Sequence, residues 1–186
     1  MIAGGILLLG WYAGTGSTAT TFSVFRSDQA NLPVTFEYPS DWQVERSSGS
    51  TERYAQVQVY GPSALDDRLR SYLVVRAIPP AAQGGRFAGL EQMIASYEET
   101  LLPTLRVAQR RQTKVAGLPA TVLEVGGTML LPWNGANPKP VPVKSERVFL
   151  ERNGWLFELA WLTTAEAAAA VEPVFARLVE TFALSD

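Results

Sequence analysis

Basic residues crowd one short segment of the sequence. Arg106, Arg110, Arg111 and Lys114 all fall within the segment 105–115. Such a cluster can form salt bridges with an acidic protein surface or with anionic lipid headgroups. Charged side chains on an edge strand also prevent pairing between the sheets of different molecules. We predict an edge strand over Leu105 to Val115 whose basic cluster binds a partner, with protection of that edge against sheet-to-sheet pairing as the alternative interpretation of the cluster.

A second candidate contact is a tryptophan in a proline-rich stretch. Residues 130–142 contain four prolines, so we expect an exposed loop there rather than regular structure. Trp133 and Asn134 lie in this stretch. A tryptophan held beside rigid prolines loses little conformational entropy when a partner covers it. We predict that Trp133 and Asn134 bind a partner, with a bare loop as the alternative.

The composition argues against an enzyme. The sequence contains no histidine and no cysteine, so it lacks the commonest general base, the commonest metal ligand and the thiolate nucleophile. The patterns of a serine nucleophile elbow and of a phosphate-binding glycine loop are also absent from the sequence. We predict that the protein is not an enzyme, with no catalytic residue, no metal and no cofactor. The net charge of −2 gives no basic excess for nucleic acid.

One acidic residue lies in an otherwise apolar run. Glu158 interrupts the apolar residues of the segment 155–162. A buried carboxylate needs a partner of opposite charge. Arg147 or Arg152, on the other strand of a predicted hairpin, can supply that charge, and a buried carboxyl group with chemistry of its own is the alternative.

The N-terminus is uncharged from residue 2 to residue 25. An uncharged stretch of this length suits a membrane anchor, whereas Ser17 and Ala19 suit cleavage of a signal peptide. A buried strand or helix of the domain is the third interpretation. We predict an anchor or signal over residues 1–25 and a single domain over residues 26–186. Both favoured interpretations place the domain on the extracytoplasmic side, periplasmic or at the cell surface.

The elements that position these residues are strands and two helices. Apolar and polar residues alternate in strand fashion in several segments, and the run 72–78, which is apolar except for Arg76, predicts a central strand. Asn153-Gly154 predicts a tight hairpin. Apolar residues at helical spacing predict a helix from Leu90 to Leu101 and a C-terminal helix, which Pro173 should kink or break. Thr163 and Glu166 have the spacing of a capping box at the start of the second helix. This order of elements predicts an α+β fold.

Three segments carry a family resemblance. These are FEYPSDWQV at residues 36–44, GLPA at residues 117–120, and the closing hairpin and helix at residues 151–184. Together they resemble the Mog1/PsbP-like superfamily over about residues 32–184. The resemblance implies an α/β/α sandwich with a central antiparallel sheet covered by helices. It also implies that Pro39 turns the chain between two strands and that Trp42 packs under the sheet edge.

The resemblance also bears on function. Members of this superfamily are mostly not enzymes: photosystem-associated members stabilise or assemble a membrane complex, and bacterial members are often exported and tethered. It therefore implies a membrane-tethered extracytoplasmic accessory domain that binds or stabilises a larger membrane protein complex. An exported carrier of a small ligand or lipid is the alternative. Its apolar cavity between sheet and helices would be lined by Trp155, Phe157, Trp161, Met93 and Tyr97, unless these side chains simply fill the core.

Overall fold

The computed structural model describes residues 20–27, 29–48, 54–64, 69–132 and 137–185. Within these ranges the chain alternates between strands and two α-helices. The strands before the first helix are β1 (Phe22–Arg26), β2 (Val34–Pro39), β3 (Gln43–Ser48), β4 (Ala55–Ala64) and β5 (Leu69–Ile78). Next come α1 (Leu90–Glu99), β6 (Leu105–Val115), β7 (Leu118–Leu131), β8 (Lys139–Arg152), β9 (Trp155–Thr164), α2 (Ala168–Thr181) and β10 (Ala183–Leu184).

The strands form two antiparallel sheets. The larger sheet has seven strands in the order β3-β4-β5-β9-β8-β7-β6, and the smaller has three in the order β1-β2-β10. Strand β5 is interior, as the apolar run 72–78 predicts, and β6 is an edge strand. The Asn153-Gly154 turn joins β8 to β9 in register, with Arg152 opposite Trp155. The predicted hairpin and the predicted edge strand are therefore both confirmed.

The helices cover opposite faces of the larger sheet. On one face, Val148 and Leu159 belong to the same buried cluster as Phe175 and Leu178 of α2. On the other face, Phe149 packs with Met93 and Ile94 of α1, among other residues. Neighbouring strand residues point to opposite faces, which separates the two clusters. The predicted α+β sandwich of helix, antiparallel sheet and helix is confirmed.

The smaller sheet adds to the α2 side of the sandwich. Phe25 of β1 stacks on Phe36 of β2, with ring centroids 4.9 Å apart, and both rings join the core that includes α2. Strand β1 starts at Phe22, inside the segment 1–25 for which an anchor or signal is predicted. Residues 1–19 of that segment lie outside the described residues, so the anchor or signal and the domain boundary stay predictions. Among the described residues, no helix is long and apolar enough to cross a membrane.

Pro39 and Trp42 lie where the chain passes from one sheet to the other. Pro39 ends β2 in the smaller sheet, and Gln43 begins β3 in the larger one. The amide N–H of Trp42 donates to the carbonyl of Pro39 across the turn, with N and O 3.0 Å apart. The Trp42 ring packs against the α2-side core and lies over Gly61, where an added Cβ would be 2.6 Å from the ring. Trp42 is therefore a structural anchor that needs a glycine beneath it.

Helix α2 is continuous across Pro173, so a break into two helices is not observed. The proline removes a hydrogen bond to the carbonyl of Ala169, which lies near the solvent-exposed start of the helix, where water can replace the missing donor.

The predicted capping box is wrong. Thr163 is buried and bonds to Ser71, whereas the hydroxyl of Thr164 accepts a hydrogen bond from the N–H of Ala167.

The predicted proline-rich loop is shorter than residues 130–142. Strand β7 runs to Leu131 and β8 begins at Lys139, so Pro140 and Pro142 lie within a strand. The pairing of β8 with β9 starts only at Val143. Before Val143, β8 pairs with β7 alone. Proline has no N–H to donate, so it is tolerated where one side of the strand has no neighbouring strand.

The lining proposed for an apolar carrier cavity is wrong. Trp155, Phe157 and Trp161 pack on the α2 side of the larger sheet. Met93 and Tyr97 pack on the α1 side. The sheet lies between the two groups, so they cannot surround one cavity.

Candidate functional site

The basic cluster lies on the exposed edge strand β6, which we call the β6 edge. Alternation along the strand divides the cluster between the two faces of the sheet. Leu105 and Val107 belong to the α1-side cluster, so Arg106 between them points to the α2 face. Arg110 lies opposite Leu123, which belongs to the α1-side cluster, so Arg110 points to the α1 face. Its neighbour Arg111 therefore points to the α2 face. The predicted residues therefore share one edge but not one face.

Two residues of the cluster are tied to neighbouring elements. Arg110 pairs with Glu91 of α1, with 2.8 Å between Nη2 and Oε2. Arg111 pairs with Glu146 of β8 at 3.1 Å and with Glu124 of β7 at 3.7 Å. Exposed pairs of this kind contribute little to stability, about 0–1 kcal/mol each. They do hold these two guanidinium groups in place along the edge.

The other two residues of the cluster carry uncompensated charge. Arg106 and Lys114 are exposed, and neither forms a salt bridge with any residue that the structure describes. They lie near opposite ends of β6. A surface with free cations on an unpaired strand edge can attract and orient an acidic partner. Arg106 and Lys114 are therefore the members of the cluster best suited to docking.

A groove opens beside the β6 edge on the α2 face. This α2 groove lies between α2 and strands β6 to β8 and has a volume of about 580 Å³. Its apolar lining includes the half-buried Val179 and the buried side chains of Trp161 and Phe175. The charged residues that line it are Arg111, Glu124, Lys144, Glu146, Glu172 and Glu180. The groove thus combines an apolar lining with charged residues, two of them basic and four acidic.

Glu146 is a half-buried carboxyl group in the lining of the groove. Burial raises the pKa of Glu146 above its ordinary value of 4.5, and the positive charge and hydrogen bond of Arg111 oppose this rise. Burial dominates because the side chain keeps only 21% of its surface exposed. The ionised carboxylate is therefore destabilised in the folded protein relative to the unfolded chain.

This shift predicts a pH dependence of stability. Because the folded state holds the Glu146 proton more tightly, stability from this group is lost as the pH rises from about 4.5 through the raised pKa. Glu146→Gln removes that titration, so its stability relative to wild type should increase over the same pH window. Urea unfolding at a series of pH values from about 4 to 7 measures the difference.

Glu146→Asp is the control, because it keeps a carboxyl group at this position. The aspartate variant should retain a wild-type direction of pH dependence. If the stability of Glu146→Gln relative to wild type stayed flat or decreased with rising pH, the prediction would be contradicted. Arg111, not burial, would then determine the pKa of the Glu146 carboxyl group.

The α1 face holds a buried cluster of charges that we call the arginine cluster: Arg76, Glu158 and Arg147. Glu158 is only 2% exposed. Nη1 of Arg76 lies 2.8 Å from its Oε2, and Nη1 of Arg147 bonds to its Oε1. The predicted pairing of Glu158 with Arg147 is confirmed. Arg76 was missed, because the sequence does not show that β5 and β9 are neighbours.

Aromatic rings cover both guanidinium groups of the arginine cluster. The guanidinium of Arg147 lies over the ring of Tyr97, 4.2 Å from its centroid, and that of Arg76 lies over Tyr54 at 5.1 Å. Burial raises the pKa of Tyr97 and of Tyr72, although the charge of Arg147 acts in the opposite direction. Both phenols therefore stay protonated at neutral pH and can donate a hydrogen bond.

Two of the predicted contacts cannot be placed. Trp133 and Asn134 lie outside the described residues, so their role as partner-binding residues stays a prediction. Within the described ranges, no group of three or more acidic, histidine or cysteine residues is placed to hold a metal ion.

Comparison with known proteins gives a likeness of fold. No family model and no curated protein matches the sequence. Among solved structures, the solution structure of cyanobacterial PsbP (CyanoP) from Synechocystis sp. PCC 6803 superposes with a TM-score of 0.54 at 14% identity, covering 95% of this chain and 99% of that one.

Two further structures share the fold. LpqN, involved in cell envelope biogenesis of Mycobacterium tuberculosis, gives a TM-score of 0.55 at 12% identity, covering 90% of this chain and 92% of that one. PA94 from Pseudomonas aeruginosa, a protein of unknown function, gives 0.53 at 18% identity, covering 89% and 98%. At these identities the comparisons establish the architecture alone.

Proposed function

We propose, for a chain with a Mog1/PsbP-like fold, that it is a non-enzymatic accessory domain on the extracytoplasmic side of a membrane. Its uncharged N-terminal segment tethers it to that membrane, and the domain binds or stabilises a larger membrane protein complex. The partner contributes an acidic surface. The observation that carries the proposal is that Arg106 and Lys114, on the exposed edge strand, form no salt bridge with any residue in the described parts of the chain.

The fold likeness supports this class of function. CyanoP is a cyanobacterial PsbP, and LpqN takes part in cell envelope biogenesis. The likeness to these two proteins supports an accessory or envelope role for this domain too. The lack of histidine and cysteine throughout the sequence agrees with a function that depends on binding rather than on catalysis.

The docking surface is the β6 edge with the adjoining α2 groove. An acidic partner would approach the strand edge, where Arg106 faces the α2 side and Lys114 the α1 side. Uncharged apolar side chains of the partner would contact the half-buried Val179 in the α2 groove. Electrostatic attraction at the rim mainly speeds association, whereas buried apolar contacts slow dissociation. Trp133 and Asn134 are the second proposed contact, in an interaction loop.

Gentle solubilisation of native membranes tests the proposal directly. The tethered chain should migrate with a large complex on a native gel, and the association should survive moderate salt. If the chain migrated as a free species of about 20.3 kDa, its own mass, it would not be part of a complex. If it were recovered only in the soluble fraction, it would not be tethered to the membrane. Either result would contradict a tethered accessory domain.

A charge-reversal variant tests the β6 edge. Arg106→Glu combined with Lys114→Glu should weaken association with the complex at least about tenfold, equivalent to about 1.4 kcal/mol. The loss should come mainly from slower association, because rim charges steer the encounter. Surface plasmon resonance on the isolated complex measures both rate constants.

The matched control is Arg26→Glu combined with Arg86→Glu. These cations are exposed and lie outside the β6 edge, and their reversal changes the net charge equally. The control should bind like wild type. Equal losses in the two variants would assign the effect to net charge and remove the β6 edge as the docking surface.

A further inference from the structure

A small cavity lies beside the C-terminal end of α1, on the opposite side of the larger sheet from the α2 groove. We call it the Arg147 cavity. Its volume is about 180 Å³. Its apolar wall includes Leu102, Leu105, Met129, Val143 and Leu162. Since sites for drug-sized ligands have volumes of about 300–1,000 Å³, this cavity suits only a small molecule.

Positive charge is in excess around this cavity. Arg76 and Arg147 share the single carboxylate of Glu158. A second cavity of about 140 Å³ adjoins the first at Tyr97, and Arg86 lines it. The charged residues lining the two cavities are thus three arginines and one glutamate, in a protein whose net charge is −2. An anion bound there would be stabilised more strongly than at the surface, because the surroundings screen charge less than water.

One donor in this site has no acceptor. Among the described residues, Nε of Arg147 is buried and has no hydrogen-bond partner. A buried donor left unpaired destabilises the folded protein, and does so more strongly when the group is charged. Because a guanidinium is planar and presents its N–H groups as a fork, it matches the geometry of a carboxylate. An anionic acceptor that reached this N–H from the adjoining cavity would complete its hydrogen bonding.

The remaining polar side chains also favour an acceptor. Tyr72 and Tyr97 line the Arg147 cavity, and each carries a phenolic O–H that can donate. Among the residues that the structure describes, no acidic one lines this cavity. The apolar wall favours a ligand with a short hydrocarbon body over a strongly hydrated inorganic ion.

From this geometry we infer that the Arg147 cavity binds a small monocarboxylate with a compact apolar body. The carboxylate accepts hydrogen bonds from Nε of Arg147 and from a tyrosine hydroxyl, and the hydrocarbon body contacts Met129, Val143 and Leu162. The site is independent of the β6 edge, since neither Arg106 nor Lys114 lines it.

Titration of the full-length chain with hexanoate, followed by the ¹⁵N NMR signal of the Arg147 side-chain Nε–H, tests the inference. Hexanoate should shift this signal saturably. Hexanamide has the same hydrocarbon body without the charge, and should bind at least tenfold more weakly. Equal responses to the two probes, or no response to hexanoate, would overturn the inference.

A variant that fills the cavity provides a test that leaves the arginine cluster intact. Arg147→Met would remove the ligand contact but also the partner of Glu158, so it could fail to fold. Met129→Trp fills the cavity from its apolar wall and should abolish the hexanoate response. Leu130→Trp changes the next residue, which is 57% exposed and does not line the cavity, so it should bind like wild type. Retention of binding by Met129→Trp would place hexanoate elsewhere.

Discussion

Replacing Glu158 by glutamine should lower the free energy of unfolding by about 3 kcal/mol, because it leaves two guanidinium groups without their shared counter-charge. Loss of one partner from a buried ion pair costs about 3–5 kcal/mol. We expect the lower end of that range, since Arg76 keeps 31% of its side-chain surface exposed and water can solvate it. Urea unfolding at neutral pH, followed by circular dichroism, measures the change.

The control is Glu91→Gln, which makes the same chemical change in an exposed pair. The Glu91 side chain is 74% exposed in its pair with Arg110, so the loss should stay below about 1 kcal/mol. If Glu158→Gln proved no more destabilising than Glu91→Gln, water or a bound anion would already be compensating the two arginines, and the cluster would not depend on its glutamate.

Phe175→Ala should lower the free energy of unfolding by about 3–5 kcal/mol. Phe175 is 2% exposed and joins α2 to the sheet through Trp161, with ring centroids 6.5 Å apart. The substitution removes a buried ring and leaves a space between helix and sheet that the sheet cannot close. Urea unfolding gives the size of the loss. The same change enlarges the α2 groove, so partner binding should also weaken.

Leu130→Ala is the matched control for a lost apolar side chain. Leu130 is 57% exposed, so its removal should change stability by less than about 0.5 kcal/mol. A loss below about 1 kcal/mol for Phe175→Ala would mean that α2 repacks over the sheet. The helix would then be less firmly seated than its buried contacts indicate.

Local sequence patterns predicted most of the fold. The Asn153-Gly154 turn fixed a hairpin because both of its residues adopt positive φ, 52° and 80°, as this class of turn requires. The basic segment 105–115 became the edge strand, since charged residues are tolerated where a strand has only one neighbour. Helix α1 was predicted from its apolar spacing.

Signals at the ends of elements were less reliable. The spacing of Thr163 and Glu166 fits a capping box, yet Thr163 lies inside β9. The prolines at 140 and 142 indicate a loop, yet both lie in β8. In both cases the pairing of strands decided the structure. Strand β9 continues beyond the apolar segment 155–162 and so includes Thr163, and β8 has no neighbour on one side at its start and so accepts the two prolines.

The candidate sites were predicted only in part. The sequence indicated a basic cluster, but strand alternation placed Arg110 and Arg111 on opposite faces. Only the absence of salt bridges to described residues singled out Arg106 and Lys114. The α2 groove had no sequence signal, because its lining comes from strands and a helix that are far apart along the chain.

By itself, the sequence determined the class of fold, the position of the edge strand and the absence of histidine and cysteine chemistry, because these depend on composition and on short-range periodicity. The tertiary structure alone decided that Arg76 joins Glu158, since that contact requires β5 to lie beside β9, with Arg76 opposite Glu158. It also decided which cations stay unpaired and where cavities form. Such features depend on how distant segments meet, and a pairing between strands remote in sequence has no local pattern.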